Sequence, residues 1–279
     1  MSSRLPREPS PMPFCCSRLD RQSRAAGGFS PGISQRYGDA PSNTPRLSMR
    51  IDRHFYIAML PALGELGGSA PMGLADLLEH VAGRQGWREQ LEAMALLDDL
   101  LQRESLLAGQ IEEAELAVLS LQQAHGEAPL PSFLETPTAG NRTTALQSDL
   151  LWERYFRYAH RLARARGSRF LGRWIEFEIA LRNAVAATRA KRLGLEPSDY
   201  QVAADLAASD EELASTLSEW EAARTPLDGL RVMLRARWSW LDRHDAWYSF
   251  SVDELLAYAA RVMVLQQWRR IEETEDVKA

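Results

Sequence analysis

From residue 74 onward apolar positions recur every three or four residues, the period of an α-helix, and the two-residue alternation of a half-buried strand is missing. Leu74 to Ala82 makes a short amphipathic segment. Trp87 to Ala108 sets Leu91, Met94, Leu97 and Leu101 on one face, and Ile111 to Ala124 repeats the pattern through Ile111, Glu115, Val118 and Leu121. Pro129, Pro131, Pro137 and the Gly140-Asn141 pair then mark a loop over 129–148. This loop separates an N-terminal helical part, 49–128, from a C-terminal helical part, 149–279.

The second part carries the clearest helix boundaries. A helix from Leu150 to Ala165 stops at Gly167, and Ser168 caps the next, which runs through Leu193 to a Gly194 stop. Ser209-Asp-Glu-Glu212 reads as a capping box for a helix reaching Ala223. Thr225-Pro226 supplies an N-cap followed by proline at the first helical position, and that helix extends to Trp240 or beyond. Ser251-Val-Asp-Glu254 reads as another capping box, for a helix running through Trp268. Only the opening run His54-Phe-Tyr-Ile-Ala-Met-Leu60, stopped by Pro61, fits a short strand over 54–60 as well as it fits a helical turn. The predicted fold class is all-α, a multi-helix bundle or funnel-like domain.

Composition changes this picture at one end. Residues 1–48 are rich in proline, serine, glycine and arginine without apolar periodicity, and such a segment cannot repay its ordering entropy, so a disordered extension is expected. Its arginines resemble those of a transit peptide, but the prolines and glycines oppose the amphipathic helix such a peptide needs; initiation at Met49 is the plainer reading. Residues 1–49 hold seven arginines against three acids, leaving 26 basic and 35 acidic residues in the remainder. An acidic body argues against nucleic acid as the main partner. The two cysteines, Cys15 and Cys16, are adjacent and have no spaced partners for a disulfide framework or a metal. Leu255 to Leu265, the longest apolar stretch, is too short to cross a bilayer and contains Arg261, so membrane association should be peripheral.

Three constellations stand out. Arg154, Arg157, Arg161 and Arg164 step by three and four residues along one helix stripe, and Arg166, Arg169 and Arg173 bring the total to seven arginines in twenty residues. They read either as a solvated face paired with acids from elsewhere, or as a docking surface for an acidic partner helix or lipid head groups. On the next helix Phe170, Trp174, Phe177, Leu181 and Val185 form an apolar stripe, interrupted by Glu178, Arg182 and Asn183. Glu178 and Arg182 fit an i,i+4 surface pair, or part of a buried polar network that fixes helix register. The aromatics Trp238, Trp240, Trp247, Tyr248, Phe250, Tyr258 and Trp268 read as core, or as an exposed patch for a protein partner.

Catalytic patterns are poorly supplied. His160, the His244-Asp245 pair and Asp253 or Asp276 offer the residue types of a metal-dependent phosphohydrolase, but at the wrong spacing. There are no paired Glu-x-x-His segments for a di-iron bundle and no HExxH, P-loop, GxGxxG on a strand or GxSxG. No catalytic, cofactor-binding or metal-ligating residue is assigned, and no cofactor is expected.

The segments His54 to Pro61, Leu151-Trp-Glu-Arg-Tyr-Phe-Arg-Tyr158, Phe170-Leu-Gly-Arg-Trp-Ile-Glu-Phe-Glu-Ile-Ala-Leu-Arg-Asn183, Trp240-Leu-Asp242 and Leu255-Leu-Ala-Tyr258 resemble an uncharacterised bacterial family found with V/A-type ATPases. That family is taken to stand in for the socket component of V-type ATP synthases, known as C or d, which joins the central stalk to the proteolipid rotor ring. Asn183, followed after five residues by Arg189-Ala-Lys191, is similar to the signature of that socket component, with Ala180 where an acid usually stands and Glu178 the nearest acid. The resemblance implies a non-catalytic subunit for ion transport, in a helical funnel that receives the stalk. It would sit in the cytoplasm, peripheral to the inner face of the plasma membrane through protein partners: the central stalk and the ring. The interface or polar-network candidates are Arg154, Arg157, Arg161, Arg164, Arg169, Arg173, Glu178, Arg182, Asn183 and Arg189. A helical adaptor of another complex is the alternative, with the phosphohydrolase a distant third.

Overall fold

A computed structural model describes residues 54–135, 144–209 and 213–276, and these contain helices and connecting chain with no strand. The fold is all-α. The Arg/Pro/Ser-rich extension, the Gly140-Asn141 pair and positions 210–212 of the Ser209 capping box lie outside the described residues.

In chain order the helices are α1 (Leu74–His80), α2 (Gln85–Leu107), the single turn α3 (Leu121–Ala124), α4 (Thr144–Arg166), α5 (Arg169–Arg192), α6 (Ala214–Ala222), α7 (Pro226–His244) and α8 (Val252–Asp276). Short 3-10 turns at Pro197–Tyr200 and Ala204–Leu206 lie between α5 and α6. The opening run resolves as helix over 54–58, with the His80 ring nitrogen 2.8 Å from the Tyr56 carbonyl holding it against α1.

Several boundaries fall where the sequence puts them. Ser168 accepts from the Leu171 amide at 3.1 Å to cap α5, and Gly194 ends it at φ +68°, a conformation that side chains with a Cβ disfavour. Thr225 and Asp228 form a reciprocal capping box at the start of α7, with Pro226 in its first turn.

Other expectations are corrected. The loop over 129–148 ends earlier, because α4 already begins at Thr144. Ile111 to Ala124 is not a helix: 111–120 is irregular chain laid along α2, and only Leu121–Ala124 is helical. Buried α2 side chains take over the amides that a helix would have satisfied. Asp99 accepts from the amides of Ala117, Val118 and Leu119 at 2.7–2.9 Å, and Gln102 both donates to the Glu115 carbonyl and accepts from its amide. The Ser251-to-Glu254 box is also redirected. Helix α8 starts at Val252, but the Glu254 carboxylate reaches past Ser251 to the amides of Tyr248 and Phe250, at 3.1 and 2.6 Å. Both of those residues sit at positive φ, so an ionisable side chain holds a turn that intrinsic preference opposes.

One hydrophobic core draws on both sides of the 129–148 loop, from Ile57 and α1 through α2, α4, α5 and α7 to Ile271 in α8. Helix α5 is its centre. Besides Phe170, Trp174, Phe177, Leu181 and Val185, its residues Leu171, Ile175 and Ile179 are buried, so burial extends around much of the helix instead of along one stripe. Trp240 of α7 packs into the aromatic group made by Phe170, Trp174 and Phe177, with ring centroids 5.2–5.8 Å apart.

Candidate interaction surface

Gly167, at φ +69°, turns α4 back along α5, and the arginine-rich segment occupies the end of this helical hairpin. The structure divides the seven arginines into two groups. Arg157 is bound on both sides, to Glu153 at 2.6 Å and to Asp205 at 2.8 and 3.1 Å, and those bonds raise its already high pKa. Arg166 pairs with Glu89 of α2. Arg154 is half-buried, while Arg161, Arg164, Arg169 and Arg173 are exposed and carry no ion pair among the described residues.

Arg164, Arg169 and Arg173 converge across a groove of about 430 Å³ between α4 and α5, with Ala163 and Gly172 also lining it. Among the described residues its one acid is Glu176, 3.3 Å from the His160 ring nitrogen. A second hollow of about 250 Å³ shares Arg173 and Glu176 and continues over Phe177, Ala180, Leu213 and Trp240 to His244. A cationic section and an apolar section therefore follow one another along α5.

Glu178, Asn183 and Arg182 look inward, and the expected Glu178–Arg182 pair is replaced. Glu178 is bound instead to Arg237 of α7 through two parallel bonds of 2.7 and 2.8 Å, both residues being buried. Burial works against the Arg237 charge, but the facing carboxylate outweighs it and raises the guanidinium pKa. Arg182 lies 4.6 Å over the Trp152 ring and 3.5 Å from Asp149, and burial lowers its pKa. Asn183 donates to the Val202 carbonyl and accepts from the Val202 amide, each at 2.9 Å. The same strap is held by Glu153 at the Ala203 amide, by Arg157 at Asp205 and by the Glu176 carbonyl at the Ala208 amide. Arg189 lies 5.2 Å over the Trp220 ring of α6.

Two further networks escape a reading of the sequence. Asp98, buried in α2, accepts from Gln102, from Gln267 at 2.8 Å and from Arg270 at 2.5 Å, tying α8 to α2. Arg261 is buried between the Trp238 and Trp247 rings, at 5.2 and 5.8 Å, and reaches Asp242, Asp245 and the Leu241 carbonyl. An arginine inside the apolar run Leu255 to Leu265 is the one local signal for the second; partners more than 160 positions away in sequence leave none for the first. The C-terminal aromatics divide: Trp240 and Tyr258 are core, whereas Trp247 and Tyr248 are 49% and 85% exposed.

The phosphohydrolase residue types do not assemble. His244 stacks on Trp240 with its Nδ1 2.9 Å from the Trp240 carbonyl, Asp245 faces Arg261, and Asp253 accepts from Ser168. Among the described residues no group of three or more His, Cys, Asp or Glu could hold a metal ion, and no helix is long and apolar enough to cross a membrane.

Residues 88–278 match a family described as a protein of unknown function, DUF2764. The chain belongs to this family. The match runs from within α2 through α8, and so the DUF2764 region contains the arginine groove, the Glu178–Arg237 pair and the Asn183 clamp. No curated protein and no solved structure matches the chain.

Proposed function

We propose that this chain is a non-catalytic subunit of a V/A-type rotary ATPase, in the socket position between the central stalk and the proteolipid ring. The observation that carries the reading is the use α5 makes of its polar residues. This helix holds the Asn183 and Arg189-Ala-Lys191 spacing that resembles the signature of the socket component. Glu178, the acid nearest the position where that signature places one, locks α5 to α7, and Asn183 locks it to the following strap. Side chains that could do chemistry are committed to joining helices, which suits a part that must transmit torque without deforming. The partners are the stalk and ring subunits, and contact with the membrane's inner face is through them.

The test is co-expression of a tagged full-length chain with the ATPase subunits, followed by affinity purification in mild detergent. The ring proteolipid and a central-stalk subunit should be recovered in fixed ratio. Recovery of the chain alone, or with an unrelated set of proteins in place of ATPase subunits, would remove this reading and favour the helical adaptor.

A further inference from the structure

Arg161, Arg164, Arg169 and Arg173 form a cluster of exposed arginines without ion pairs among the described residues. Several other arginines are answered by carboxylates, Arg88 by Glu92, Arg157 by Glu153 and Asp205, Arg237 by Glu178 and Arg269 by Glu115, while Arg103 and Arg192 bond to backbone carbonyls. With acids in excess over the whole chain, at formal net charge −5, the absence of ion pairs for Arg161, Arg164, Arg169 and Arg173 among the described residues is a local departure. Three of the four line one groove, where like charges repel and Glu176 is the one lining acid among the described residues. A ligand with several carboxylates relieves that repulsion, and guanidinium groups bind carboxylates through paired hydrogen bonds.

The rest of the groove selects among anions. Beyond Arg173 the lining becomes more apolar, with Phe177, Ala180, Leu213 and Trp240 beside Ser209 and His244. From Arg169 to Ala180 the path follows three turns of α5, roughly 16 Å at the rise of an α-helix. A small inorganic anion would leave the apolar section uncovered. A bilayer surface is flat, meets the concave groove only at its rim, and brings negative head groups against an acidic body. An amphipathic helix matches both sections.

We infer that the α4–α5 groove binds an acidic, amphipathic helix of a partner protein. Its carboxylates lie one turn apart against Arg164, Arg169 and Arg173, and an apolar side chain enters the hollow beside Trp240. The excess of acids in residues 50–279, 35 against 26 basic residues, disfavours such a helix away from the groove and so helps to orient its approach. This inference rests on the reading of the chain as an assembly subunit, but not on the identity of the assembly.

The experiment uses the purified full chain and a fluorescent helical peptide of about 18 residues, five turns, with glutamates at one-turn spacing and one adjacent leucine. Fluorescence anisotropy should show binding that weakens with salt. Arg164→Glu with Arg173→Glu should weaken it at least about tenfold, whereas Arg235→Glu, on the exposed face of α7, should leave it within about twofold. Replacing the peptide's glutamates by glutamine, or its leucine by alanine, should also weaken binding. Equal binding to the wild type and the double variant, or by the glutamine peptide, overturns the inference. So does binding of phosphatidylglycerol vesicles or inorganic phosphate without binding of the peptide. A chain that binds the peptide but recovers no ATPase subunits overturns the rotary ATPase reading alone, and the converse result overturns only the groove.

Discussion

Glu178 and Arg237, 59 residues apart, face each other through two hydrogen bonds of 2.7 and 2.8 Å with both side chains almost fully enclosed. Breaking such a pair from one side leaves a buried charge without its partner. Glu178→Gln should therefore cost about 3–5 kcal/mol of unfolding free energy, while the double change Glu178→Met with Arg237→Met should recover most of that loss. Urea unfolding followed by circular dichroism checks this. A single variant as stable as the wild type would show that the pair does not hold α5 to α7.

Asn183 satisfies both polar atoms of the Val202 peptide groups that face it, each at 2.9 Å in a buried setting. Asn183→Ala should cost about 3 kcal/mol, because it orphans a buried donor and a buried acceptor together. Hydrogen exchange should accelerate over the strap at 197–208 far more than in α2. Uniform acceleration across the chain would mean that Asn183 supports the fold globally and does not clamp this segment.

Burial raises the Asp99 carboxyl from 3.8 to about 6, against the three amides that hydrogen-bond to it. The folded protein therefore takes up this proton more readily than the unfolded chain. The resulting stabilisation is complete below about pH 4 and is lost as pH rises through about 6. Its full size is about 3 kcal/mol at 1.36 kcal/mol for each pH unit of difference. The difference in stability between wild type and Asp99→Asn should change in that direction between pH 4 and pH 7, and a flat difference would contradict the assignment.

Tyr248 holds φ +62° and is 85% exposed, so it bears backbone strain without compensating packing. Tyr248→Gly should raise stability by about 0.5–1 kcal/mol, or about 2 °C in Tm. Phe250, at φ +47°, has its ring centroid 4.2 Å from that of His54, and Phe250→Gly should instead destabilise. Thermal unfolding of the two variants separates these effects, and a loss of stability in both would place the Tyr248 ring in a packing role.

Helix ends written in local residues were legible in the sequence. Ser168, Gly194 and Thr225-Pro226 act within four positions of themselves, so their meaning survives without tertiary context. The error over Ile111 to Ala124 has the opposite cause. Its apolar spacing fits a helix, but Asp99 and Gln102 of α2 compete for its amides, and nothing within the segment announces that competition. The seven arginines of 154–173 were visible as a cluster. Which of them remain unpaired depends on Glu89 and Asp205, brought in from distant parts of the chain. Glu178 and Arg182 illustrate the same limit, since i,i+4 spacing is compatible with a pair that the fold replaces by two others.

If this chain couples two parts of a rotary machine by fitting helices against other proteins, ion transport must fail without it. The most direct measurement is ATP-driven ion pumping in inverted membrane vesicles from cells that lack this chain, with ATP hydrolysis measured on the same vesicles. Pumping should be lost without the chain and restored by adding it back. Undiminished pumping in its absence would contradict the proposed role.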